Sequence, residues 1–212
     1  KYRRRRLKNT EILILVRQAV KSDAVNLISI LENSFNPNDG QRVLGRRLTV
    51  SLFRIFFKLP ESIFLLAEEG QKPLGYVWIQ LRPLSISRCI FFAPIETLLF
   101  SVSVLRELKL STISKLLKKQ DGSAAYKGKF PKLMSLAVDQ ASRRYGIGTT
   151  LLTMVQEYLL KENKTEYFTI TVLDNLQAML FYEKNGFKML ENNLISVLYR
   201  KAINTEDKET DE

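Results

Sequence analysis

Histidine is absent from all 212 residues, and cysteine occurs once, as Cys89. The first absence excludes Ser-His-Asp and Cys-His catalysis and any imidazole-ligated metal. The second excludes an intrachain disulfide and a cysteine cluster, so no metal is expected. Cys89 sits in the apolar run CIFFAPI and reads as core filling rather than as a nucleophile. Long apolar runs are also missing: residues 89–105 are too short to span a bilayer and carry Glu96. Acidic residues are scarce, 22 against 33 Lys and Arg, which gives a net charge of +11. Such a surface suits phosphates, acidic proteins, nucleic acid or anionic lipid without choosing among them.

The length fits one large domain with tails. Residues 1–9, beginning KYRRRRLK, read as a basic, solvated arm and 204–212 as an acidic tail, leaving 10–203 as the folded domain. A cytoplasmic location is the expectation, with organelle import left open because the chain opens on Lys1 rather than Met. Nucleic-acid binding has only the arginine run in its favour, with no aromatic platform beside it, and ranks last.

Apolar patterning gives the element order. EILILVRQA (11–19) reads as a buried strand, 22–35 as a helix capped by Ser22 or Asp23, NPNDG (36–40) as a turn and 41–59 as a second helix. SIFLLAEEGQKPLGYVWIQLRP reads as a β-hairpin, 132–139 as a strand, and the run from Gly146 as an amphipathic helix with Ile147, Leu151, Leu152, Val155, Tyr158 and Leu159 inward. A strand at 166–174, a short helix ended by Gly186 and two short strands complete the chain. The class is mixed α/β.

The stretch SRRYGIGTTLL (142–152) places two glycines at a strand-to-helix turn. Glycines there let successive N–H groups point at an anion, and the helix N-terminus adds positive potential. A dinucleotide fingerprint requires a third glycine where Leu151 stands, and a P-loop requires Gly-Lys-Ser/Thr, so neither applies. Arg143, Gly146 and Gly148 instead match the acetyl-CoA motif Gln/Arg-x-x-Gly-x-Gly/Ala. DNLQAMLFYEKNGF adds Asn175, Ala178, Phe181, Tyr182, Gly186 and Phe187 in the register of a second signature. With these two motifs the chain resembles the GNAT superfamily of N-acetyltransferases, best over 132–190.

The resemblance implies a mostly antiparallel central sheet flanked by helices. It implies that the strand before the glycine turn splays from the strand after the helix, with pantetheine held in the gap by the backbone of Leu136, Ala137 and Val138. It places the pyrophosphate on Arg143, Arg144, Tyr145, Gly146, Ile147, Gly148 and Thr149, gives Asn175 a bond to the pantetheine arm, and sets Tyr182 near the thioester sulfur. The implied reaction is direct attack of a primary amine on the acetyl thioester of acetyl-CoA, a cosubstrate, with Tyr182 as general acid. The amine belongs to a protein N-terminus, a lysine or a small molecule. Where some relatives carry a glutamate base, Lys132 and Ile170 stand; Glu68, Glu69 and Glu96 are the other carboxylates weighed, and none is assigned. The alternative reading is a GNAT fold that binds CoA as a sensor or scaffold without turnover.

Residues 84–131 form an insertion between the third and fourth strands, with a helix opened by Pro94 that places Ile95, Leu98, Leu99, Val102 and Leu105 on one face. The helix at 41–59 puts Leu44, Leu48, Leu52, Ile55 and Leu59 on its core face and Val50, Phe53 and Phe57 opposite. The preferred account packs the insertion over that second face, closing a substrate pocket. The sharper account makes 41–59 and 84–131 a docking surface for an anionic membrane or a protein partner. Oligomeric state is not legible.

Overall fold

A computed structural model describes residues 3–6, 13–34, 46–107 and 128–203. Its elements are β1 (Arg3–Arg6), β2 (Leu13–Gln18), α1 (Ala24–Ser34), α2 (Arg46–Phe56), β3 (Ser62–Glu69), β4 (Lys72–Gln80), α3 (Ile86–Phe92) and α4 (Pro94–Glu107). They continue with β5 (Lys132–Val138), α5 (Ile147–Lys161), β6 (Glu166–Val172), α6 (Leu176–Lys184), β7 (Lys188–Asn192) and β8 (Ser196–Ala202). The strands form one eight-stranded sheet in the order β1-β2-β3-β4-β5-β6-β8-β7, antiparallel throughout except between β5 and β6.

Period-two alternation explains how the sheet is covered on both faces. Ile63, Leu65 and Ala67 of β3 point into a core shared with Ile147, Leu151, Leu152, Val155 and Leu159 of α5. Phe64 and Leu66 point the other way, against Leu27 and Ile28 of α1 and Phe53 of α2. The inward face expected for α5 is the one observed, with Tyr158 at its margin.

Three expectations change. Arg3–Arg6, expected within a solvated arm, pairs with Leu13–Val16 as an edge strand. Edge pairing uses backbone groups, so a charge run does not forbid it. In α2, Phe53 belongs to the sheet-facing core, with its ring 5.6 Å from Phe64 and 6.0 Å from Trp78, and Val50 and Phe57 pack beside it. Leu48, Ile55 and Leu59 are buried too. The helix is therefore enclosed on two sides, by the sheet and by contacts with α1, α3 and α4. The insertion does pack on α2, but the phenylalanines are not the face it covers. Leu44 and the turn at 36–40 lie outside the described residues, as do 108–127 of the insertion.

Ion pairs fasten the insertion to the body. Arg88 of α3 donates to both oxygens of buried Glu61, at 2.6 and 2.8 Å. Glu96 in the first turn of α4 accepts from Lys21 at 2.9 Å and Lys58 at 2.8 Å, which hold its pKa down at about 2.

Candidate active site

β5 and β6 pair at only two positions, Lys132 with Phe168 and Leu133 with Thr169. Beyond Leu133 the two strands part. The other edge of β5 stays zipped to β4 up to Val138 opposite Gly75, and the Asp139 N–H donates to the Leu74 carbonyl at 2.8 Å. Backbone groups of alternate residues point to opposite edges of a strand. Ala137 and Asp139 therefore serve β4, and Leu136 and Val138 turn their N–H and C=O groups into the gap. Gly75 makes this approach close: a Cβ there would lie 2.9 Å from the Ala137 carbonyl oxygen.

The gap opens into a cavity of about 760 Å³. One wall is Leu136, Ala137 and Val138; the opposite wall is Val172 and Asp174, followed by Asn175, Ala178, Phe181 and Tyr182 of α6. The glycine turn closes one side with Arg143, Arg144, Gly146, Ile147, Gly148 and Thr149. Of the residues expected at this site, only Tyr145 is not among those lining the cavity; its side chain is exposed instead.

The turn owes its shape to two left-handed residues, Arg144 at φ +68° and Gly146 at φ +78°. For Gly146 that conformation is free of a Cβ penalty, whereas for Arg144 it stores strain on the order of 1 kcal/mol. Asp139 steadies the preceding turn by accepting from the Ala141 N–H at 3.2 Å. Gly146 is the N-cap of α5, and its carbonyl already takes the Thr150 N–H at 2.9 Å. The N–H groups of Ile147, Gly148 and Thr149 belong to the first turn, where a helix has no internal partners for them. They lie at the cavity edge, where the helix dipole favours negative charge. Gly148 has a second duty: a Cβ there would come within 3.0 Å of the Phe181 ring, so the glycine lets α5 and α6 share this wall.

Arg143 is engaged differently from the expectation of a phosphate ligand. Its guanidinium donates to the Val138 carbonyl at 3.3 Å and to the Ser34 carbonyl at the end of α1. Ser34 Oγ also donates to the Val138 carbonyl, at 3.0 Å. Together they lock the C-terminus of α1 to the end of β5, and a cation there suits the negative end of the helix. Asn175 caps α6, its Oδ1 accepting from the Ala178 N–H at 3.1 Å, which leaves Nδ2 as the group able to reach a ligand.

Tyr182 lines the cavity although its ring is set in the core, between Phe187 at 5.1 Å and Tyr199 at 5.9 Å. Burial raises the phenol's pKa, and a hydrogen bond with Thr169 partly offsets this. Thr169 itself donates to the Leu133 carbonyl at 3.3 Å, at the last paired position before β5 and β6 diverge. The phenol is thus a neutral donor at the fork of the strands.

The weighed carboxylates lie elsewhere. Glu68 accepts from Arg17 at 3.1 Å, Glu96 is held by two lysines, Glu69 ends β3 at the hairpin, and none lines the cavity. Lys132 is half-buried with its pKa lowered by desolvation. Sequence reasoning missed Asp174, which lines the cavity, and Ser34, which reaches the site from 104 residues away with no local signal. Among the described residues no cluster of His, Cys, Asp and Glu suited to a metal is found, and no helix is long and apolar enough to cross a membrane.

Comparison with known proteins agrees with this geometry. The sequence pattern of the Acetyltransferase (GNAT) family matches residues 28–187, and the chain belongs to that family. Its members use acetyl-CoA. The fold is similar to that of the PaiA N-acetyltransferase of Thermoplasma acidophilum in complex with coenzyme A, at 15% identity and a TM-score of 0.56 over 89% of this chain and 98% of that one. It is similar also to the GNAT domain of S. lividans PAT, at 12% identity and a TM-score of 0.61 over 95% and 96% of the two chains. Ard1 from Thermoplasma volcanium gives 13% identity and a TM-score of 0.56 over 90% and 98%. No curated protein matches the sequence.

Proposed function

We propose that the protein transfers the acetyl group of acetyl-CoA to a primary amine by direct attack, without a covalent enzyme intermediate. The observation that carries this reading is the unzipping of β5 from β6 beyond Leu133, beside the amides of the first turn of α5. A pyrophosphate fits those amides and the charge of Arg144. The backbone groups of Leu136 and Val138 fit the amide-bearing pantetheine arm, which Asn175 Nδ2 also reaches. The Val138 carbonyl is shared with Ser34 and Arg143, so the Val138 N–H and the Leu136 groups take the larger part of this binding.

In the transfer, the amine nitrogen forms a bond to the acetyl carbon as the carbon–sulfur bond breaks. Amides on the Leu136–Val138 stretch stabilise the negative charge that builds on the carbonyl oxygen. The Tyr182 hydroxyl gives its proton to the departing sulfur, for which a neutral, buried phenol is suited. The surplus proton of the amine leaves to solvent, and Tyr182 is reprotonated from there. The acceptor is a protein N-terminus, a lysine side chain or a small-molecule amine.

A second reading, binding of CoA without turnover, draws on the commitment of Glu68 and Glu96 to ion pairs away from the cavity. Thiol release measured with a panel of peptides, polyamines and amino acids separates the two. Amine-dependent release that falls by roughly 10²–10⁴ in Tyr182→Phe, with acetyl-CoA affinity unchanged, supports the transferase. Saturable binding with no release from any amine supports the second reading.

A further inference from the structure

The two insertion helices turn most of their large apolar side chains to solvent. In α4, Glu96, Thr97, Phe100, Ser103 and Val104 turn toward the body, and Ile95, Leu98, Leu99 and Val102 turn to solvent. The most exposed of these are Ile95 at 67% and Leu98 at 66%. In α3, Arg88 and Cys89 face inward, and Ile86 and Phe91, each 78% exposed, face out with Ile90. A helix normally buries its apolar stripe, and a contiguous apolar surface rimmed by charge marks an interaction site. Within residues 86–102 this surface draws on both helices and lies apart from the cavity, since none of these residues lines it.

Charge selects the occupant. The carboxylate at the foot of α4, Glu96, is covered by Lys21 and Lys58, and Arg88 neutralises Glu61 while its guanidinium lies 5.3 Å from the centre of the Phe92 ring. Arg82 and Arg106 flank the pair of helices. Among the described residues 82–106 the exposed charged side chains are Arg82 and Arg106, on a chain of net charge +11, which opposes pairing with a second copy and suits a negatively charged, apolar-centred surface. No described helix is long and apolar enough to span a bilayer, so insertion stops at the interface. Phenylalanine and aliphatic side chains outward, with exposed arginines beside them, is the pattern of elements that lie in the headgroup region.

We propose that the outward face of α3 and α4 docks the protein on an anionic membrane surface through Ile86, Ile90, Phe91, Ile95, Leu98 and Leu99. The acetyl-CoA cavity is then carried on a membrane-bound body. This placement is independent of the transfer chemistry and stands or falls separately from it.

The test is co-sedimentation of the 212-residue chain with phosphatidylcholine vesicles with and without phosphatidylserine. Binding to the anionic vesicles, weakened by about tenfold or more in Phe91→Asp/Leu98→Asp, is the expected result. Both substituted side chains face solvent, so the variant is expected to keep the thermal midpoint of the parent. As a second reading of the same face, Phe91→Trp is expected to shift its emission to the blue on adding anionic vesicles, against a constant signal from buried Trp78. No binding to anionic vesicles, or equal binding by the double-aspartate variant, overturns the proposal; the latter would trace attraction to charge alone. A dimer in vesicle-free solution that the double-aspartate variant abolishes also overturns it, in favour of a second copy.

Discussion

The half of the molecule built by β5, α5, β6 and α6 and the helix pair α3–α4 follow opposite packing rules. In the first, α5 buries Leu151, Leu152, Val155 and Leu159 and turns its first-turn amides to a cavity. In the second, helices held by Arg88–Glu61 and by Glu96 with two lysines turn these charged groups inward and Ile86, Phe91, Ile95 and Leu98 outward. The contrast separates two uses of a helix. One is stabilised by its own apolar face and offers its backbone to a ligand. The other is tethered by ion pairs and offers its apolar side chains.

Substitutions sharpen the contrast. Leu151→Ala, at a fully buried position, is expected to cost about 2–5 kcal/mol in urea denaturation. Gly75→Ala is expected to cost about 1–3 kcal/mol by the same measurement, because the new methyl meets backbone rather than a movable side chain. It also pushes on β5, so weaker acetyl-CoA binding should accompany the loss. Glu96→Gln is expected to act through pH. Two lysines hold the folded carboxyl at about 2, below its ordinary 4.5, so its contribution is complete above about pH 4.5 and is lost as pH falls toward 2. Midpoints of the parent and the glutamine variant should therefore converge in acid, and a constant difference down to pH 2 would remove the tether. Leu98→Ser is expected to change stability by less than about 0.5 kcal/mol in the absence of membrane, since that side chain faces solvent. A loss as large as that of Leu151→Ala would show that α4 buries the leucine.

The cavity half was legible because its signals are local. Gly146, Gly148, Asn175 and Tyr182 lie within forty residues, on elements whose boundaries are marked by glycine and by side-chain caps. Arg143 lines the cavity, but its partners, the carbonyls of Ser34 and Val138, are set by how α1 closes on β5. No sequence period reports that closure. The same blindness affected α2: periodicity found two apolar stripes but did not show that Phe53, rather than Leu48, meets the sheet. The stripe through Ile95, Leu98, Leu99 and Val102 in α4 was also read as one face, while its outward direction follows from the ion pairs at Glu96 and Glu61.

The central claim is that the parted strands and the glycine turn hold acetyl-CoA, and calorimetric titration of the chain with acetyl-CoA tests it most directly. The account predicts one saturable site, retained in Tyr182→Phe and weakened in Gly75→Ala. A parent protein that takes up no acetyl-CoA would contradict it.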